Sequence, residues 1–145
     1  MIIPSTSNAP RNWRNGRVRW TVTFHRAFDR TPDPLVALED AIAAGATRIL
    51  TAGGVGTALQ GVETLRKLVQ AAGKRIVIMP GGGLDAGNIL EIAAKSQASE
   101  FHSGLGSVLP YGSSNLQRFE AEIHSMKGLL TRTPLGSNPV TAKKT

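Results

Sequence analysis

The sequence contains no cysteine. Disulfide bonds, thiolate zinc sites and a cysteine nucleophile are therefore excluded by composition. No apolar run approaches the roughly 20 residues that a membrane-spanning helix requires. The first residues, MIIPSTSNAP, do not have the basic head and long apolar core of a secretory signal. Together these absences predict a soluble, cytoplasmic protein.

Acidic residues are missing from both ends of the chain. Residues 1–20 hold four arginines and no acid, and residues 131–145 hold three basic residues and no acid, so the net charge of +7 belongs to the ends. A basic fringe on a neutral body is more typical of solvated tails than of a nucleic-acid-binding surface. We therefore expect disordered segments at 1–20 and 131–145. Two alternatives apply to the first segment. It could be an organellar transit peptide, or it could bind nucleic acid, with nucleotide bases stacking on Trp13 and Trp20.

From residue 21 onwards, short β-branched or aromatic runs alternate with longer helical patterns. The runs cover residues 21–28, 48–52, 75–80 and 100–104, and the helical patterns cover residues 33–45, 57–73, 84–96 and 115–130. Such alternation predicts βα units with parallel strands and right-handed crossovers. The fold class is therefore α/β, as a small open sheet or as part of a (β/α)₈ barrel made of four βα units.

Capping residues mark where the first two helices should begin and end. Asp33 is placed to cap the first helix, with Pro34 at the first helical position, where a missing N–H costs nothing. Gly45 and Gly73 stand where a left-handed residue should end a helix.

The string VTFHRAFDRTPDPLVALEDAIAAGATRILTAGG, with IMPGGGLDAGNI and EFHSG after it, resembles the copper homeostasis family called CutC. The resemblance covers about residues 21–130, and TFHRAFD is its most specific part. It implies a CutC-like half barrel, namely strands five to eight of a complete TIM barrel, and copper as the ion that is handled. Half a barrel leaves two open strand edges that could pair with a second copy. A truncated or misassigned gene product is the alternative.

Two glycine-rich loops should lie at the rim formed by the carboxyl ends of the strands, where barrels gather their chemistry. Gly81, Gly82 and Gly83, with Gly104 after the last strand, could bring backbone N–H groups to an anion at the start of the next helix. The structural alternative is a tight turn in which Asp85 caps that helix and repels anions.

TFHRAFD places titratable and cationic side chains together at the end of the first strand. Strand alternation predicts His25 pointing inward and Arg26 pointing to the other face, near the rim. His25, Arg26, Asp29 and His102 are therefore the candidates for catalysis, with the two histidines facing each other as acid and base. Alternatively, Arg26 and Asp29 form an ion pair that holds the loop. His124, in the last helix, is expected at the surface.

Copper is implied by the resemblance and not by a copper motif. Cu(I) favours soft ligands, and in a chain without cysteine Met79 is the best placed sulfur, together with His25 or His102. The alternative is that Met79 packs inside the barrel. Three functions stay open: copper homeostasis with a copper site at the rim, an enzyme that uses His25 and His102 on a small phosphorylated or carboxylated substrate, and an inactive remnant.

Overall fold

The computed structural model describes residues 21–54, 56–106, 109 and 115–132. The predicted disordered segments lie outside these residues, except that the last helix runs on through Thr131 and Arg132. Within the described part of the chain, no helix is both long enough and apolar enough to cross a membrane.

In the described residues, three short parallel strands form the sheet: β1 (Thr23–Phe24), β2 (Arg48–Thr51) and β3 (Val77–Pro80), in the order β1-β2-β3. Phe24 pairs with Ile49, and Ile49 pairs with Ile78. The predicted fourth run adds a single parallel bridge, between Gly81 and His102. The α/β class with parallel strands is confirmed, but the predicted strand over 100–104 is wrong except at that bridge.

The first run is also much shorter than predicted. Its strand ends at Phe24, and residues Arg26–Arg30 form a 3₁₀ helix. His25 causes the change, because its Nδ1 accepts a hydrogen bond from the Ala27 N–H at 3.1 Å and so caps the 3₁₀ helix. The turn buries Phe28, which is 1% exposed.

The part of the chain that the structure describes has four α-helices, and neighbouring helices contact each other. Asp33 caps α1 as predicted, accepting hydrogen bonds from the N–H groups of Leu35 and Val36, and Gly45 and Gly73 have the expected positive φ. The second and third helices begin later than their sequence patterns, because turns come first. The helices are α1 (Pro34–Ala43), α2 (Val62–Ala72), α3 (Ile89–Ser96) and α4 (Leu116–Arg132).

The two faces of the sheet differ in burial. Ile49 and Ile78 face the helices and join a buried cluster that includes Leu38 of α1, Leu65 of α2 and Ile92 of α3. Side chains alternate along a strand, so the opposite face carries a different set, and all of its members are half-buried. We call this set the inner face, since it would line a closed barrel; it consists of Arg48, Leu50, Val77 and Met79.

Candidate functional site

Asp29 fixes the 3₁₀ helix to the loop that follows β2. Its side chain is only 6% exposed. Oδ1 accepts hydrogen bonds from the Thr51 hydroxyl at 2.5 Å, the Ala52 N–H at 3.0 Å and the Gly54 N–H at 3.4 Å. Oδ2 accepts from Arg26 Nε at 2.7 Å. The carboxylate is therefore fully partnered, and the ion pair considered as the structural alternative is present.

Arg26 connects three loops at the carboxyl ends of the strands. While Nε binds Asp29, Nη2 donates to the Gly56 carbonyl at 3.0 Å. A Cβ atom added to Gly82 would lie 2.7 Å from Arg26 Nη1, and Gly82 has a φ of +116°. Only glycine therefore fits here, because a side chain would strain the backbone and collide with the guanidinium. These contacts fix the position of the Arg26 side chain. Its Nη1 lies against the loop of residues 81–83, which we call the glycine loop.

The glycine loop has only part of the predicted anion-binding capacity. The Gly81 N–H donates to the Thr51 carbonyl at 2.9 Å as part of the sheet, so it cannot serve an anion. The N–H groups of Gly82 and Gly83 have no acceptor among the described residues. Gly104 is exposed, with open space around it.

Carboxylates already accept hydrogen bonds from the backbone N–H groups just before α3. The predicted cap Asp85 is wrong, since the helix begins at Ile89 and the Asp85 carboxylate accepts from the Gly87 N–H at 2.9 Å instead. Glu122 of α4 accepts from the Ala86 N–H at 2.6 Å. Any anion at this rim would therefore bind on the Arg26 side of the glycine loop and not at the helix.

A cleft of about 460 Å³ opens beside Arg26. It is lined by His25, Arg26, Ala27, Arg30 and Leu50. His25 and Arg26 share this cleft although strand alternation predicted opposite faces, because the extended backbone of His25 is followed at once by the 3₁₀ helix that starts at Arg26. The His25 ring stacks on Phe24 with centroids 6.0 Å apart, and its engaged Nδ1 leaves Nε2 available. Arg30 has no ion-pair partner within the described residues.

Met79 and His102 lie on the inner-face side of the sheet. Met79 is half-buried beside Leu50, its partner in register, and His102 is exposed and bridged to Gly81. His102 lies in the fourth run, which is three strand spacings away from β1, a distance of about 14 Å along the sheet at about 4.8 Å per spacing. The two histidines are therefore not in contact within one chain. His124 is exposed, as expected.

One ion pair on the inner face was not predicted from the sequence. Arg48, at the start of β2, binds Glu100 at the start of the fourth run, with Nε to Oε2 at 2.7 Å. The hydrogen bond from Arg48 lowers the pKa of the Glu100 carboxyl. The sequence feature that could have predicted this ion pair is the presence of opposite charges at the first residues of the two runs. In the described ranges, no three histidine, aspartate or glutamate side chains are grouped so that they could hold a metal ion.

Comparison with known proteins gives consistent matches. The sequence model of the CutC family matches residues 17–107. Family protein CutC of Xylella fastidiosa (strain Temecula1) is 51% identical over 88 residues, which are 61% of this chain and 33% of that protein. The human copper homeostasis protein cutC homolog is 47% identical over 81 residues, 56% of this chain and 30% of that protein. The chain thus spans about a third of the length of the curated relatives it matches.

A solved structure matches as well. The crystal structure of the putative copper homeostasis protein CutC from Streptococcus agalactiae is 32% identical, with a TM-score of 0.54. The match covers 57% of this chain and 41% of that one.

Proposed function

The chain belongs to the CutC family, and from this premise we propose that its rim binds a small anion of the phosphate or carboxylate kind. The ligand enters the cleft beside Arg26. The observation that carries the proposal is the Arg26 guanidinium, held by Asp29 and Gly56 so that Nη1 lies against Gly82.

The charges of the cleft favour an anion. Asp29 balances Arg26, but Arg30 adds a positive charge with no acidic partner in the described ranges. His25 adds a ring nitrogen that is not engaged by the backbone. Arginine suits this task because its planar group is always charged and carries five N–H donors. Nη1 of Arg26 and the guanidinium of Arg30 can therefore both donate to a carboxylate or phosphate.

The glycine loop supports the same ligand. The N–H groups of Gly82 and Gly83 have no acceptor among the described residues, and the guanidinium lies beside Gly82. An anion there would accept hydrogen bonds from backbone and side chain together, as anions do in concave backbone sites. If the bound molecule is a substrate, His25 Nε2 would be the proton-transfer group, since His102 of the same chain is too distant.

Phosphate titration followed by amide NMR tests the proposal. We expect saturable shifts at Gly82 and Gly83. Arg30→Gln should weaken phosphate binding by about tenfold, the typical cost of losing a charge-assisted hydrogen bond. Arg30 is the better variant because Arg26→Gln would also release Asp29.

Lys67→Gln is the matched control, because Lys67 is an exposed cation on α2, away from the cleft. It should leave the phosphate affinity unchanged. Shifts that do not saturate, or equal weakening by Lys67→Gln and Arg30→Gln, would contradict the proposal.

Copper is the second candidate ligand. It is favoured by the name of the human relative, a copper homeostasis protein homolog, and by the position of Met79 on the inner face. Met79 lies on β3, two residues before Gly81, and Gly81 is bridged to His102. The thioether of Met79 and the imidazole of His102 therefore occupy diagonal positions on neighbouring runs. A soft sulfur with an imidazole suits Cu(I).

Cu(I) competition against a chromophoric chelator tests the copper site. We expect one ion per chain and about tenfold weaker binding in Met79→Leu, which preserves volume and removes the sulfur. Met126→Leu is the control, because Met126 is 8% exposed in the core. The copper assignment fails if no Cu(I) binds or if both variants weaken binding equally.

A further inference from the structure

Among the residues that the structure describes, large exposed apolar side chains occur only at the two ends of the sheet. On the described part of the chain, none of them belongs to α2 or α3, because these helices pack between neighbours. Near β1 and on α1 they are Val22, Phe24, Leu35 and Val36; on α4 they are Leu116, Phe119 and Ile123. Apolar surface gathered in this way marks sites of association.

The α4 end also has an apolar cleft of about 380 Å³. It lies between α4, the fourth run and the start of α3, and its apolar lining includes Ile123, Met126, Leu130, Phe101, Leu84 and Ile89. In a (β/α)₈ barrel the space beside the last strand is filled by the next strand and its helix. The exposed Leu116 and Phe119 of α4 are available to such a neighbour.

Both ends of the sheet also have a free strand edge among the described residues. β1 pairs only with β2, and His102 pairs only with Gly81. All pairings are parallel, so a strand placed beside either edge in the same direction would extend the barrel. Free N–H and C=O groups on such edges favour pairing with another chain.

We propose that two copies of this chain associate about a two-fold axis and close an eight-stranded barrel. At each seam, β1 of one copy lies beside residues 100–103 of the other, and α4 packs against the partner's α1. This inference does not depend on the ligand proposed above.

A second copy fits better than an unrelated partner for three reasons. Four βα units from each copy make the eight that close a barrel. Both ends of the sheet are apolar, so a single two-fold rotation would bury the β1 and α1 end of each copy against the α4 end of the other. This gives two identical seams. Residues 21–130 carry ten basic and ten acidic residues, so the two bodies have no net charge with which to repel each other.

Closure would complete a site that one chain leaves open. Within a chain, β1, which precedes His25, and the fourth run, which contains His102, are three spacings apart. Across a seam the same two segments would be adjacent, about 4.8 Å apart. His102 of one copy would then lie beside the partner's His25 at the cleft with Arg26 and Arg30. Each copy thus contributes one imidazole, and the pair could exchange a proton or bind a metal ion.

Sedimentation velocity of the full chain tests the association. We expect a dimer at micromolar concentration, and at least tenfold weaker association for Phe119→Glu and for Phe24→Glu, which place a charge in each seam. Gln70→Glu, at an exposed position of α2, is the matched control and should remain dimeric. Far-UV circular dichroism verifies that each variant is folded.

Cross-linking tests the arrangement, and the absence of native cysteine makes it specific. His25→Cys and His102→Cys are prepared separately, mixed, and treated with a short bismaleimide. The mixture should give a cross-linked dimer, whereas each variant alone should not, because the two-fold axis sets identical positions on opposite sides of the barrel.

Three results would overturn the proposal: a monomer at tens of micromolar, a dimer unaffected by both glutamate variants, or equal cross-linking within each single variant. A chain that stays monomeric but pairs with a different four-unit half would also overturn the second copy as the partner.

Discussion

Asp29→Ala is expected to lower the free energy of unfolding by about 3 kcal/mol, the cost of breaking a nearly buried ion pair and its hydrogen bonds. The carboxylate is 6% exposed and accepts from the Thr51 hydroxyl, the Ala52 N–H and Arg26 Nε. Alanine leaves these donors without a partner. Urea unfolding followed by circular dichroism measures the loss.

Asp40→Ala is the matched control. Asp40 is an exposed carboxylate on α1 with no ion pair among the described residues, so its loss should change stability by less than about 0.5 kcal/mol. Asp29→Asn should fall between the two, because its amide keeps an oxygen acceptor but loses the charge. A cost for Asp29→Ala no larger than that for Asp40→Ala would show that the Asp29 hydrogen bonds do not stabilise the fold.

Gly61→Ala is expected to destabilise the protein by about 3 kcal/mol or more, as overpacking against an immovable neighbour does. The added Cβ would overlap the Ala52 carbonyl oxygen, which is backbone. The Ala52 N–H binds Asp29, so this loop cannot move away without breaking the Asp29 hydrogen bonds. Thermal unfolding at fixed protein concentration measures the effect.

Gly128→Ala provides a control of opposite sign. Gly128 lies inside α4, and apart from the adjacent helix backbone and its chain neighbours no atom lies within 4 Å of an added Cβ. Alanine should therefore stabilise the helix by up to about 1 kcal/mol. If both alanines changed stability by the same amount and in the same direction, the close approach of Gly61 to Ala52 would not be the cause.

The sequence predicted the order of the elements well because that order depends on local signals. Asp33 and Pro34 begin α1, Gly45 and Gly73 follow the first two helices, and the run at β3 reads as a strand without any knowledge of its neighbours. Strand lengths were overestimated where a side chain competes with the sheet for the backbone. His25 is the clearest case, since its Nδ1 binds the Ala27 N–H and turns the chain.

The candidate site was harder to predict because its contacts join distant parts of the chain. The TFHRAFD string marked His25, Arg26 and Asp29, but nothing in it indicates that Asp29 binds Thr51 and Ala52, more than twenty residues away. The same holds for Arg48 and Glu100, 52 residues apart. Spacing along the chain cannot give these partners.

By itself, the sequence determined the alternation of strands and helices, the caps, the absence of thiol chemistry and the resemblance to CutC, because each rests on residue types or on neighbours a few positions apart. Tertiary structure alone decided which groups share the rim: Arg26 against Gly82, Arg30 in the cleft with His25, and His102 three strand spacings away. The physical reason is that parallel strands bring residues together at one edge, and only the packed sheet fixes which side chains meet there.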